Sequence, residues 1–304
     1  MDSIAAAIES VKIKLPLAEY KLNEPLKNHT SFRVGGPARV MFFPKNAEEL
    51  VELSCILNGH EIKPLIIGNG TNLLADDSKT LEITAVKTTE INSAAQKRTT
   101  EITAGAGISL TKLAVFAYEL GLSGLEFAHG IPGSLGGAVS MNAGAYGKEM
   151  KDVVYSTNAY NYNAIYTLIG DEHEFKYRGS RFSETGDIIL SSTVHLQKDD
   201  KKSIAAKMDE LYTQRRESQP LDIPSAGSTF KRPKDGYAAE LIEKAGLKGY
   251  AVGGARVSEK HSGFIVNNGR ATFADIMAVI EHVRETVYER FGIELEPEIK
   301  IIRA

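Results

Sequence analysis

GIPGSLGGAVSMNAGAYG, residues 130–147, is the stretch on which the reading of this chain turns. It holds six glycines and no Asp, Glu, Lys or Arg, and its interior residues Ser134, Ala138, Ser140, Ala143 and Ala145 are small. Main chain is therefore exposed wherever the stretch curls. Glycine tolerates positive φ and close approach of a ligand to the backbone, and successive N–H groups in such a turn form a concave anion site. Two readings follow: a curl around a flat or anionic ligand, or a tight packing corner between domains. The stretch alone does not separate them.

The remainder of the chain narrows the choice. A length of 304 residues allows two or three domains, and 42% hydrophobic with 25% charged residues is a globular composition. The net charge of −3 gives no electrostatic reason to expect nucleic acid or an anionic membrane as partner, since both select a basic surface. Cys55 is the only cysteine, which excludes an internal disulfide or a multi-cysteine metal site and fits a reducing compartment. The start, MDSIAAAIESVKIKLP, carries acids at Asp2 and Glu9 and no basic region before an apolar run, so no secretory signal is expected. The uncharged segment 127–147 is too rich in Gly and polar residues for a membrane span. A cytoplasmic, monomeric protein is expected.

Along the chain, the TSFRV run at 30–34 is strand-like and is turned by Gly35-Gly36-Pro37. Asn46 followed by Glu49 reads as a capping box opening a helix that Gly59 stops. A short buried strand, 64–67, then runs into GNGTNLL at 68–74. From Thr99 short strands dominate, around a helix at 109–120, and the alternation through 153–168 with the apolar run 188–196 reads as antiparallel sheet. A charged helix at 201–218 reads as a connector. The last hundred residues read as an α+β unit, with helices at 238–245 and 272–291 and strands at 263–266 and 298–302.

Several chemistries are unsupported. GNGTNL departs from G-x-G-x-x-G at Leu73, no Walker loop is present, and no G-x-S-x-G elbow marks an acyl-transfer serine. The histidines show no metal-ligand spacing, so no metal is expected. What remains is a strand delivering Gly68, Asn69, Gly70, Thr71 and Asn72, residues suited to hold a pyrophosphate through backbone N–H groups and short side chains. Two such loops favour a dinucleotide clamp over two independent corners. Three further runs combine polar groups with rigid backbone: YRGSRF at 177–182, PSAGSTFKRP at 224–233 and LEPEIK at 295–300. Spacing alone does not join them into one site.

Together with NHTSFRVGGPA at 28–38 and LIEKAGLKGYAVGGARVSEKHSGFIVN at 241–267, these motifs resemble the UDP-N-acetylenolpyruvoylglucosamine reductase family almost from end to end. The resemblance implies an α+β protein: an FAD-binding fold of the vanillyl-alcohol-oxidase type in two subdomains, 1–93 and 94–200, and a C-terminal α+β substrate domain, 201–304. It implies NADPH-dependent reduction of an enolpyruvyl sugar nucleotide, with FAD as cofactor and NADPH as co-substrate. By motif, Arg178, Ser228 and Glu298 would be the catalytic trio. Gly68, Asn69, Gly70, Thr71, Asn72, Gly133, Ser134, Gly136, Gly137, Asn142 and Gly144 would hold the cofactor, and Lys231, Arg232 and Lys248 are candidates for the substrate diphosphate. The short spacing between Arg178 and Ser228 resembles the compact subclass without a tyrosine-bearing lid loop. Arg232 stands where many members have Asn, and the hairpin 161–164 lacks the usual Gly. Rival readings are another flavin oxidoreductase on the same fold and a flavin-holding module without turnover.

Overall fold

The computed structural model describes residues 2–234 and 236–303. The chain divides into two compact units, each assembled from separated segments: Met1–Leu22, Val40–Asn69 and Ile83–Gln214 in the first, Asn23–Arg39, Gly70–Glu82 and Arg215–Ala304 in the second. Among the described residues no helix is long and apolar enough to cross a membrane.

The first unit has two hydrophobic cores. One is built by the helices Ser3–Lys14 and Ala47–Gly59, which bury Ile4, Val11, Leu50, Leu53 and Leu57 together with Val40 and Val86. The second helix opens at Asn46 as expected, the Glu49 N–H donating to Asn46 Oδ1 at 2.8 Å, but the Glu49 carboxylate accepts from Lys45 N–H at 2.9 Å, one residue earlier than a capping box has it. The strand Leu65–Ile67, which pairs in parallel with Ala85–Lys87, then delivers the chain to Gly68. The other core lies against a five-stranded antiparallel sheet in the order Ile165–Ile169, Val154–Tyr160, Ile188–His195, Glu101–Gly105, Ala94–Arg98. Ile102, Leu110, Leu113, Leu135, Val139 and Leu168 fill it, and the helix Lys201–Ser218, read from the sequence as a connector, packs Ile204, Met208 and Leu211 onto it. The edge strand Ala94–Arg98 escapes the sequence reading because four of its five residues are exposed, so no apolar alternation marks it.

The second unit sets a four-stranded antiparallel sheet, in the order Ser225–Ser228, Phe264–Asn267, Ala255–Val257, Ala251–Val252, against the helices Ala238–Lys244 and Phe273–Phe291. Ile242, Val257, Ile276, Val279, Ile280 and Val283 make the core. Thr272 and Asp275 form a capping box at the start of the second of these helices. The closing strand Lys300–Ile302 pairs in parallel with Leu73–Ala75.

The α+β class expected from the sequence holds, but the TSFRV run is not a strand. It is a turn, with the Arg33 N–H on Thr30 O at 3.1 Å, Thr30 Oγ1 donating to Val34 O at 3.0 Å, and Arg33 at φ 56°. The turn drives Phe32 fully into the second unit's core, where its carbonyl accepts from Asn267 Nδ2 at 2.8 Å. Burying a phenylalanine is worth about 1.5–3 kcal/mol against about 1–2 for one left-handed residue, so burial outweighs the β-propensity of the run.

The five-stranded sheet also contains a polar network with no exposure. His173 is fully buried, its Nδ1 2.8 Å from Gly170 O and its Nε2 2.9 Å from Thr157 Oγ1, which is 2.9 Å from Ser192 Oγ. A carbonyl only accepts, so Nδ1 carries the proton and Nε2 accepts from Thr157. Burial holds the His173 pKa below its ordinary value. The unfolded chain therefore binds a proton, near pH 6.5 and below, that the folded chain resists, and this stabilising term is lost as pH falls. Urea unfolding at pH 7.5 and pH 5.5 is expected to show a drop that is shallower in His173→Phe. At pH 7.5 that variant should be less stable by about 1–3 kcal/mol, because Thr157 Oγ1 and Gly170 O each lose the hydrogen bond to the buried imidazole.

Candidate active site

The two glycine loops meet within the first unit. A Cβ on Gly68 would stand 1.9 Å from Ser134 Oγ and 3.0 Å from its Cβ, so a side chain there would require the Ser134 hydroxyl to turn aside, and Asn69 Nδ2 donates to Pro132 O at 2.8 Å. The stretch around Ser134 is fixed in turn on residues 106–110. Leu110 N–H donates to Gly133 O at 3.0 Å, Leu135 N–H to Ile108 O at 2.9 Å and Gly136 N–H to Ala106 O at 2.8 Å. The glycine-rich run continues as a helix, Leu135–Ser140, that the sequence reading did not place. Its first intrahelical bond runs from Ala138 N–H to Ser134 O at 2.8 Å. Gly137 is exposed and its N–H lies ahead of that bond, at the end of a helix where anions are favoured.

Beyond this helix the chain reaches Asn142, at φ 43° and fully buried. It is among the residues expected at the cofactor, and every polar atom of its side chain is bonded to protein. Nδ2 donates to Lys176 O at 3.1 Å and to Glu149 Oε2 at 3.0 Å, and Oδ1 accepts from Lys151 N–H at 3.0 Å. Two acceptors on one side and a donor on the other fix the orientation of the amide. What Asn142 could offer a ligand is backbone. Gly144 follows in a two-residue hairpin, paired with Glu149.

The Lys176 carbonyl belongs to the turn that carries Arg178. Lys176 and Gly179 exchange backbone hydrogen bonds at 3.0 and 3.2 Å, and between them Arg178 sits at φ 54°, a conformation that favours glycine or asparagine. Its guanidinium lies 5.3 Å from the Tyr177 ring. Ser180 Oγ donates to Ser140 O at 2.9 Å, so the turn is tied at both ends to the exit of the glycine-rich helix. Arg178 is half-buried and permanently cationic.

Within the second unit, Ser228 ends a strand whose register against Phe264–Asn267 slips between Ser225 and Ser228, with Gly227 at φ 77°. A bulge of this kind re-aims the following side chain. Beside it runs the segment of Glu298: Glu298 N–H donates to Thr229 O at 2.8 Å and Lys231 N–H to Glu296 O at 2.9 Å. Asn72 is bonded to the Glu298 segment, its Nδ2 donating to Glu298 O at 3.2 Å and its carbonyl accepting from Lys300 N–H at 2.9 Å. The structure thus brings together Ser228, Glu298 and Asn72 on neighbouring segments, with Ser228 and Glu298 half-buried. Of the cations, Lys231 pairs with Glu296, Lys248 Nζ lies 2.7 Å from Glu243 Oε1, and the Arg232 guanidinium stands 4.4 Å from the Tyr237 ring. Such exposed pairs are weak and can exchange for a phosphate. His261 supports the same segment. Its Nδ1 accepts from Gly263 N–H at 3.1 Å, and Gly263 O accepts from Thr229 N–H at 2.8 Å. Burial holds its pKa below the ordinary histidine value. Gly70 and Thr71, on the same loop as Asn72, belong to this unit too, and Gly70 O accepts from Ser31 N–H at 3.1 Å.

These residues fit the cofactor that the sequence suggests. Within the first unit, Gly68, Asn69 and the loop 133–137 carry no formal charge, present short polar side chains and backbone N–H groups, and close on one another at Gly68 and Ser134. That is the donor set a pyrophosphate requires. Among the described residues no group of three or more His, Cys, Asp or Glu could hold a metal ion.

Comparison with known proteins agrees. Residues 38–165 match the family described as FAD binding domain, and residues 219–302 match the C-terminal domain of UDP-N-acetylenolpyruvoylglucosamine reductase. The reductase of that name from Caldanaerobacter subterraneus is 50% identical over 294 residues, 96% of this chain and 97% of the relative. That from Agathobacter rectalis is 45% identical over 97% of this chain and 98% of the relative. The crystal structure of the Thermus caldophilus reductase superposes with a TM-score of 0.80 at 33% identity, covering 94% of this chain and 98% of that one. Similarity of this extent places the chain in the UDP-N-acetylenolpyruvoylglucosamine reductase family.

Proposed function

We propose that this chain reduces UDP-N-acetylglucosamine enolpyruvate to UDP-N-acetylmuramate, a peptidoglycan precursor, using NADPH and a resident FAD. The observation that carries the reading is the Arg178 turn. A permanent cation is held in a left-handed conformation by contacts from Asn142 and Ser180. Strain of this kind persists where the surroundings enforce it, and it clusters at sites of chemistry.

Gly68, Asn69, Gly70, Thr71, Asn72, Gly133, Ser134, Gly136, Gly137 and Gly144 are the residues we assign to FAD. FAD, when bound, supplies the two-electron chemistry that links NADPH to the enolpyruvyl group. Reducing that double bond adds a hydride at the terminal carbon and a proton at the carbon bearing the carboxylate, and negative charge builds in the carboxylate between the two events. Arg178 binds the carboxylate through two donors and holds the developing charge. Ser228 gives its hydroxyl proton to the carbon beside the carboxylate. A serine is a weak acid, and it serves because such a carbon is strongly basic and the geometry is preset. Glu298, whose backbone is bonded to the segment that follows Ser228, orients the polar groups there. Lys231, Arg232 and Lys248 are the candidates for the diphosphate.

The same reading divides the chain into FAD-binding subdomains 1–93 and 94–200 and a substrate domain, 201–304. Three buried cores, centred on Leu50 to Leu57, on Leu110 to Val139 and on Ile276 to Val287, follow that division in outline, although the second takes in Ile204, Met208 and Leu211 and the third takes in Phe32 and Leu74. It also places the protein in the cytoplasm as a monomer. A single cysteine fits a reducing compartment, and size-exclusion chromatography checks the monomer.

Purified protein should be yellow, and its NADPH oxidation should depend on the enolpyruvyl sugar nucleotide. A colourless protein that takes up no FAD, or NADPH consumed by oxygen alone, would overturn the assignment. Stopped-flow spectra of Ser228→Ala should show flavin reduction by NADPH nearly intact and reoxidation by substrate slowed about 10²–10⁴-fold, the range of a lost general acid. Equal loss in both halves would remove the proton-donor role. Arg178→Gly and Arg178→Ala should both lose the substrate half-reaction. In denaturant unfolding the glycine variant should be the more stable by about 0.5–1 kcal/mol, since relief of about 1–2 kcal/mol is partly offset by glycine's larger unfolded-state entropy.

A further inference from the structure

The side chain of Asn142 has no polar atom left for a ligand, which raises the question of what it holds in place. Its three hydrogen bonds converge on two segments: Glu149 Oε2 and Lys151 N–H on one, Lys176 O on the other. The bond to Lys176 O lands on the first residue of the turn in which Arg178 is held at φ 54°. The Glu149 carboxylate is itself anchored, with Oε2 2.8 Å from Lys151 Nζ. Ser180 Oγ makes a parallel tie from the far side of the turn to Ser140 O, two residues before Asn142. The left-handed arginine is thus clamped on both flanks to the exit of the glycine-rich helix.

We infer that Asn142 is a positioning residue for Arg178: its buried amide fixes the Lys176–Gly179 turn, and through it the direction of the guanidinium. The choice of residue follows from its partners. The site needs two donors toward Lys176 O and Glu149 Oε2 and one acceptor toward Lys151 N–H, which a primary amide supplies and a carboxylate does not. It also needs a residue that tolerates φ 43°, and asparagine is enriched there. A misplaced guanidinium meets the substrate carboxylate with poor geometry, so the half-reaction with substrate is the one that suffers.

This inference rests on the role of Arg178 proposed above, and a double-mutant cycle on the FAD-loaded enzyme separates the two. Rates of flavin reduction by NADPH and of reoxidation by the enolpyruvyl substrate are measured for Asn142→Ala, Arg178→Ala and the double variant. Asn142→Ala is expected to slow reoxidation about tenfold to a hundredfold, the scale of a small misplacement, with flavin reduction within about twofold. In the Arg178→Ala background the same change should cost less than about twofold, since the group it positions is gone. An equal cost of Asn142→Ala in both backgrounds, or equal loss in the two half-reactions, overturns the positioning role. An Arg178→Ala enzyme that reoxidises at the normal rate overturns the reading of Arg178 itself. Should Asn142→Ala fail to fold, Ser180→Ala removes the other tie and is run through the same cycle. It is expected to give a smaller loss of the same kind, confined to reoxidation and absent without Arg178; no such loss overturns the clamp.

Discussion

The close approach of Gly68 to Ser134 is the constraint around which the cofactor side of the first unit is arranged. The notional Cβ of Gly68 would lie 1.9 Å from Ser134 Oγ. This approach requires that the parallel strand Leu65–Ile67 end where it does, and that Ser134 be held from behind. The second condition is met by backbone bonds from Leu110, Leu135 and Gly136 to the opposing loop. Each such bond is worth about 0.5–1.5 kcal/mol net, so three of them outweigh the entropy of ordering a short glycine-rich entry only because the helix behind is buried on Leu135, Ala138 and Val139. A neutral, backbone-lined wall is the outcome, one that can hold an anion through dipoles without a lysine or arginine.

The second unit solves a different problem, that of aiming one hydroxyl. Ser228 is placed by a slipped register and a left-handed glycine, and the neighbouring Thr229 is locked on both sides. Its N–H donates to Gly263 O, its carbonyl accepts from Glu298 N–H, and its Oγ1 accepts from Ile265 N–H at 3.2 Å. A bulge lets a strand turn a side chain out of the alternation that would otherwise dictate its face. The cost of the lost ladder bond is offset by the buried bonds of Thr229.

How much of this was legible in the sequence depended on whether the determinant was local. Helices with their own caps, such as Ala47–Gly59 and Phe273–Phe291, could be read because the capping residues and the apolar period sit in one window. The TSFRV run misled because Phe32 is drawn in by a core contributed mostly from residues beyond 225, a constraint no short window contains. The edge strand Ala94–Arg98 is invisible to periodicity because neither face is buried. Ser228 and Glu298 could be joined only through resemblance, since the contact between their segments spans about seventy residues of intervening chain. Asn142 is the instructive case. Its setting among glycines suggested a ligand contact, whereas the partners that take up its amide lie at 149, 151 and 176.

That case bears on why a non-glycine residue persists at φ 54° at all. A left-handed arginine costs about 1–2 kcal/mol, a sizeable part of the roughly 5–15 kcal/mol that separates folded from unfolded chains. Glycine or asparagine would be cheaper for the fold, and neither carries a permanent charge with a rigid pair of donors. The turn therefore keeps the arginine only if other contacts hold the backbone against relaxation. The buried amide of Asn142 and the Ser180 hydroxyl are such contacts, and both reach the turn through backbone, leaving the guanidinium itself to other work. Strain and restraint are then two aspects of one arrangement: the charge is fixed in direction because the backbone beneath it is prevented from settling elsewhere.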